Sequence, residues 1–194
     1  MRLGIDLDGV VADFTSGWVR RYNRDFDASV RVDQVTTWGA PKQITHFSTM
    51  GEFWRWVRFC GEGASLFRRL DLYPGALESL QELANDGHEI VIVTSKPQFA
   101  VADTYAWIAE HGLPAAEIHI VDDKSEVSCE LYVDDGPYNL ERLLVGRPDS
   151  VVVRFVRPWN APIAGVLDAH SWSDVRRIVA EQSVLTARAE QPPQ

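Results

Sequence analysis

Residues 3–14 read LGIDLDGVVADF, an apolar run that passes into Asp6, Asp8 and Asp13, with Gly9 between them. The spacing predicts a short strand that delivers carboxylates at its carboxyl end, the edge at which open α/β sheets hold their ligands. On an extended chain, side chains i and i+2 project to one side, which sends Asp6 and Asp8 toward a common volume. Gly9 then lets the backbone turn away. Taken alone, D-x-D-G also describes an Asx-rich turn capping a strand. It does not describe an EF-hand loop, which needs glycine sixth in the loop where this chain has it fourth.

Working outward, runs rich in Ile and Val recur at Leu3 to Leu7, Glu89 to Thr94, Glu117 to Val121, Leu131 to Asp134 and Val151 to Phe155. Unbroken apolar runs suit parallel strands covered on both faces. Helices are expected at Ala76 to Asn85, Ala100 to His111, Tyr138 to Leu144 and Ser173 to Ser183. The alternation predicts an α/β fold, a three-layer Rossmann-like sandwich around a central parallel sheet. The interval from Phe14 to Leu72 has no strong strand run, carries Trp18, Trp38, Trp54 and Trp56, and shows helical spacing at Gly17 to Phe26 and Gly51 to Phe59. It is expected to form a small, mainly helical cap inserted after the first strand, with its exit hinge at Leu72 to Ala76, where Pro74 and Gly75 punctuate the chain. The chain is thus divided into a core of 1–13 and 73–185, a cap of 14–72 and a flexible tail of 186–194.

Composition narrows the function. Apolar residues make up 45% of the 194, which suits a globular core. A net charge of -9 argues against a nucleic acid polymer as partner, because phosphate backbones are met by Lys and Arg. A small phosphorylated substrate stays compatible where positive charge is concentrated locally or supplied by a metal. Cys60 and Cys129 are far apart, form no CxxC and follow no secretory signal, so a cytoplasmic protein is expected. The longest apolar stretches, EIVIVT and SVVVRF, fall far short of the roughly 20 residues of a membrane helix, and no membrane partner is expected. His46, His88, His111, His119 and His170 lack zinc-site spacing. GEGAS at Gly61 to Ser65 lacks the third glycine of a dinucleotide fingerprint and follows no strand.

Three further segments end or follow strand runs: Thr94 and Ser95 after EIVIV, Lys124 after IHIVDD, and Asp134 with Asp135 after ELYV. Carboxyl ends of parallel strands share one crevice. Hydroxyls and N–H groups at Thr94 and Ser95 suit phosphate oxygens, and Lys124 adds a point charge on the same oxygens. Asp122 and Asp123 either pair with Lys124 or form a solvated turn, and Asp13 either orients the first loop or caps the next helix. Carboxylates gathered in one crevice repel one another unless a cation intervenes, and a hard divalent ion fits them, Mg2+ best. The expected ligand set is Asp6, Asp8, Asp134 and Asp135, with the division between direct and indirect contact left open for the last two.

In order and in placement these segments resemble the four motifs of the haloacid dehalogenase superfamily of phosphohydrolases: DLDGV, VTS, Lys124 and VDD. The resemblance implies that Asp6 attacks phosphorus and that Asp8 is the general acid and base, with an aspartyl-phosphate between two displacements. LDGVVADF, PGALESL, VTSKP, TYAW, DDKSEV, ELYVDDGP and HSW, in this order, further resemble the 5'(3')-deoxyribonucleotidases. That resemblance implies a nucleoside monophosphate as substrate and an aromatic base pocket between core and cap, at positions matching Phe14 and Trp38. Trp18, Trp54 and Trp56 read as cap core. One departure is Gly136 in DDGP, where relatives commonly carry arginine. The competing readings are a phosphatase of the same superfamily for another small phosphate ester and a non-catalytic phosphate-binding module. A cap that opens for substrate implies hinges near Asp13 to Ser16 and Leu72 to Gly75.

Overall fold

The computed structural model describes residues 1–61 and 63–189. Six parallel strands, β1 (Arg2–Ile5), β2 (Glu89–Thr94), β3 (Glu117–Ile120), β4 (Leu131–Asp134), β5 (Val151–Phe155) and β6 (Leu167–Ala169), form one sheet in the order β3-β2-β1-β4-β5-β6. The α/β sandwich and its parallel sheet are as the sequence predicts. Alternate residues of β2 explain the unbroken apolar runs. Ile90 and Ile92 enter one buried cluster with Leu80, Trp107 and Val175, while Val91 and Val93 enter a second with Tyr132, Leu140 and Leu143. The helices α4 (Ala76–Asn85), α5 (Val101–Glu110) and α7 (Trp172–Ala189) cover the first face, and α6 (Pro137–Gly146) covers the second. Gly4 sits mid-strand because the Tyr132 ring lies over it: a Cβ there would fall 2.7 Å from Tyr132 Cδ1.

Some bounds differ from expectation for local reasons. The first strand stops at Ile5 instead of Leu7, because the Leu7 carbonyl accepts the N–H groups of Val10, Val11 and Ala12 and turns the chain out of the sheet. β6 was not expected. It has three residues, two of them exposed, and lies next to β5 through the pairing of Arg154 with Asp168. α7 runs to Ala189, into the segment expected as a tail, whose last residues, 190–194, lie outside the described residues.

Between β1 and α4 lie α1 (Phe14–Phe26), α2 (Ala40–Ile44) and α3 (Met50–Arg58), in the segment expected as a cap. α1 is capped by Asp13, whose Oδ1 accepts the Ser16 N–H at 3.0 Å, and α3 by a reciprocal box between Thr49 and Glu52. Trp18, Phe53 and Val57 are fully buried and continuous with the core cluster. The two connections to the core pair with each other: Asp13 N donates to Asp71 O and Tyr73 N to Val11 O, both at 2.8 Å. Indoles from the core hold both, Trp172 Nε1 donating to Val10 O at 3.1 Å and Trp107 Nε1 to Leu70 O at 2.8 Å. No helix among the described residues is long and apolar enough to cross a membrane.

Candidate active site

Strand register builds the site. Ile5 pairs with Val133 across β1 and β4, so the next residues of the two strand runs, Asp6 just past β1 and Asp134 at the end of β4, stand side by side at the carboxyl edge of the sheet. Asp6 N still donates to Val133 O at 3.0 Å. On the other side of β1, β2 ends at Thr94. The short 3-10 turn Lys124–Glu126, held by Asp123 accepting from Ser125 N, brings Lys124 in from beyond β3.

The Lys124 ammonium is 4% exposed and lies 2.9 Å from Asp6 Oδ1 and 2.5 Å from Asp134 Oδ2. Burial alone would lower its pKa, but Asp134 and Asp6 raise it above the ordinary lysine value, so it stays charged. Asp134 Oδ1 accepts from Gly136 N at 2.8 Å and from Asn139 Nδ2 at 3.3 Å. At Gly136 a Cβ would meet Asn139 Nδ2 at 2.8 Å, so any side chain there requires Asn139 to move. Asp135 accepts from Trp159 Nε1 at 2.7 Å through Oδ2, while its Oδ1 is buried with no partner. Burial, reinforced by the charges of Asp6 and Asp134, raises its pKa well above the usual carboxylate range.

Asp6, Asp134 and Asp135 each offer an oxygen, and these oxygens lie within 4.8 Å of one another. Three buried carboxylates against one ammonium leave an excess of negative charge, and an all-oxygen donor set with a buried, unpartnered Asp135 oxygen suits a hard divalent cation. Asp8, the fourth expected ligand, is not in this group. Its Oδ2 meets Lys96 Nζ at 2.5 Å instead, and its pKa is raised, by burial first, against the opposing charge of Lys96 and with the charge of Asp6. Gly9 permits the turn at φ +79°, and its missing Cβ makes room for Asp135, since a Cβ would stand 2.0 Å from Asp135 Oδ2.

Thr94 is buried with its hydroxyl unpartnered at the strand end, whereas the Ser95 hydroxyl is spent on Val121 O at 2.6 Å. Phe14 and Trp38 both line a cavity of about 330 Å³ that reaches from Asp8, Gly9 and Asp135 to Met50 and Trp54, in the segment expected as a cap. Phe14 lies nearly parallel to Phe67 and Trp54, with ring centroids 5.2 and 5.9 Å away, while Trp38 is 54% exposed. Trp18 and Trp54, read as cap core, also border the cavity.

Sequence reasoning missed Lys96, Trp159 and Asn160. Lys96 stands two residues past Thr94 in TSKP, a strand-end position that extended spacing marks out, and its ammonium also lies 4.9 Å from the centre of the Phe67 ring. Trp159 and Asn160 follow β5 in RPWN, where the strand end was the only signal.

The chain is similar to known proteins in sequence and in fold. The model of the family described as "5' nucleotidase, deoxy (Pyrimidine), cytosolic type C protein" matches residues 1–189. A provisionally named 5'(3')-deoxyribonucleotidase of Chlorobaculum tepidum is 30% identical over 181 residues, covering 89% of this chain and 87% of its own. A haloacid dehalogenase-like hydrolase from Streptococcus pneumoniae superposes with a TM-score of 0.65 at 12% identity, covering 92% of this chain and 97% of its own. A haloacid dehalogenase-type hydrolase of Bacillus subtilis, bound to magnesium, does so at 0.60 and 16% identity, with 92% and 97% covered. These two structures share the fold. With the matched family spanning nearly all of its length, this chain belongs to the deoxy (pyrimidine), cytosolic type C 5'-nucleotidases and is a phosphoric monoester hydrolase.

Proposed function

We propose that the chain dephosphorylates deoxyribonucleoside and ribonucleoside monophosphates through a phosphoryl group carried briefly on Asp6. The observation that carries this reading is the single Lys124 ammonium shared between Asp6 and Asp134, which joins the attacking carboxylate and the acidic pair in one buried crevice. An Asp6 oxygen forms a bond to phosphorus while the ester P–O bond breaks, and Asp8 gives its proton to the departing alkoxide. Water then attacks phosphorus, Asp8 takes the proton, and the Asp6–P bond breaks to free phosphate. The raised pKa of Asp8 suits the first of these roles, and the partner Lys96 keeps it in place.

Asp6, Asp134 and Asp135 would hold Mg2+, which supplies charge neutralisation on the phosphoryl oxygens. Lys124 adds its own charge there, and the Thr94 hydroxyl, which has no partner at the strand end, donates to a phosphate oxygen in this reading. The cavity lined by Phe14 and Trp38 takes the nucleoside, the aromatic faces stacking on the base. The segment 14–72 acts as a cap that closes over it, hinged near Asp13 to Ser16 and Leu72 to Gly75, where the two connections to the core pair with each other.

The test is phosphate release from a panel of nucleoside monophosphates and sugar phosphates, with Mg2+ and with excess chelator. Turnover of the nucleotides, lost on chelation and restored by Mg2+, is expected; a preference for sugar phosphates would point to another small ester instead. Trp38 is sufficiently exposed to be removed without disturbing the core. Trp38→Ala should raise KM for the nucleotides about 5- to 150-fold, matching roughly 1–3 kcal/mol of stacking per base, with a much smaller change in kcat. An unchanged KM would remove Trp38 from the pocket.

A further inference from the structure

We propose that Trp159 is a positioning residue for the metal site, orienting Asp135 as a ligand through its indole N–H. This rests on the reading that Asp6, Asp134 and Asp135 hold a divalent cation. The turn after β5 grips the site at three points. Arg157 Nε donates to Gly9 O at 2.6 Å, Asn160 Nδ2 donates to Asp135 O at 2.8 Å, and Trp159 Nε1 donates to Asp135 Oδ2 at 2.7 Å. Asn160 ties the turn to itself, its Oδ1 accepting from Arg157 N at 3.0 Å and its Nδ2 also donating to Phe155 O at 2.9 Å.

Asp135 Oδ2 is therefore fixed from two sides, by the indole and by the Gly9 backbone, where even a methyl group would collide with it. That leaves the carboxylate one oxygen, Oδ1, buried and without a partner. A carboxylate oxygen buried in that way, beside Asp6 and Asp134, is suited to ligating a cation. The chemistry of the donor matters. A neutral N–H orients the carboxylate while leaving its charge for the metal, whereas a Lys or Arg in the same place would compete with the cation. Partners of this kind, behind the ligands, commonly contribute a factor of 10–100 to metal affinity.

Trp159 also lines the substrate cavity, so truncation to Ala would alter two things at once. The informative changes keep an aromatic ring and remove the donor: Trp159→Phe, and replacement of Trp159 by benzothienylalanine, which keeps the bicyclic shape and whose sulfur stands where the indole N–H was. Calorimetric titration of Mg2+ into the full chain, with circular dichroism to verify folding, is expected to give a Kd about tenfold or more weaker for both variants. Should the Phe variant not fold, the benzothienyl protein, which keeps the indole shape, decides the matter. A Kd within twofold of wild type in a folded donor-less protein would overturn the role of Trp159 while leaving the metal reading intact. Wild-type protein that binds no Mg2+ would overturn the metal reading itself.

Discussion

Asp6→Asn is expected to lower phosphate release by on the order of 10⁴-fold or more, the scale on which enzymes lose turnover when a covalent nucleophile is removed. The amide is nearly isosteric with the carboxylate and still offers an oxygen to Lys124, which lies 2.9 Å from Asp6 Oδ1, so the fold should persist. What is lost is a charged oxygen able to form a bond to phosphorus. Steady-state assays on the best nucleotide of the panel, with thermal melts alongside, check both halves. Activity within tenfold of wild type in a folded Asp6→Asn protein would mean that phosphorus is attacked by another group, and the aspartyl-phosphate route would fall with it.

Lys124→Met should have the larger effect on stability. The ammonium is buried between Asp6 and Asp134, and removing one member of a buried ionic cluster costs about 3–5 kcal/mol because the remaining charges lose their partner. Asp135 in the same crevice worsens the imbalance. In a chain of this size that loss corresponds to a melting temperature lower by roughly 6–20 °C. Turnover should also fall by about 10²- to 10³-fold, the usual consequence of losing one group that stabilises developing charge. Mg2+ should recover part of the stability, raising the melting temperature of Lys124→Met by more than that of wild type, because a cation relieves the same repulsion. Equal melting temperatures for the two proteins without Mg2+ would show that Lys124 does not balance the cluster.

Much of this was legible in one dimension. Strand runs such as EIVIVT announce themselves because a parallel strand must bury both of its faces, and Ile90 and Ile92 do enter one cluster while Val91 and Val93 enter another. Asp6, Lys124, Asp134 and Asp135 were legible for a related reason. Parallel strands end on one edge of the sheet, so any polar residue just past an apolar run is carried to the same crevice. The i, i+2 rule served less well for Asp8, because the strand stops at Ile5 and the Leu7 carbonyl draws in three N–H groups, so that Asp8 turns to Lys96 instead of joining the cluster of carboxylates. β6 escaped notice because three residues with one buried side chain carry almost no periodic signal. Its pairing depends on Arg154 of β5 meeting Asp168 across the sheet.

The sequence by itself determined five of the six strands, their carboxyl edge and the acids that edge would carry, because hydrophobic periodicity and strand polarity are properties of short stretches of chain. Only the tertiary structure decided which donors hold those acids. Trp159 reaches Asp135 across 24 positions, and Lys96 reaches Asp8 from the end of a different strand. The cavity between Phe14, Trp38 and Asp135 likewise exists only where residues far apart in the chain are brought together. A hydrogen bond or an ion pair needs two side chains within about 3 Å, and that proximity is set by how the whole chain packs, which leaves no periodic trace in the residues around either partner.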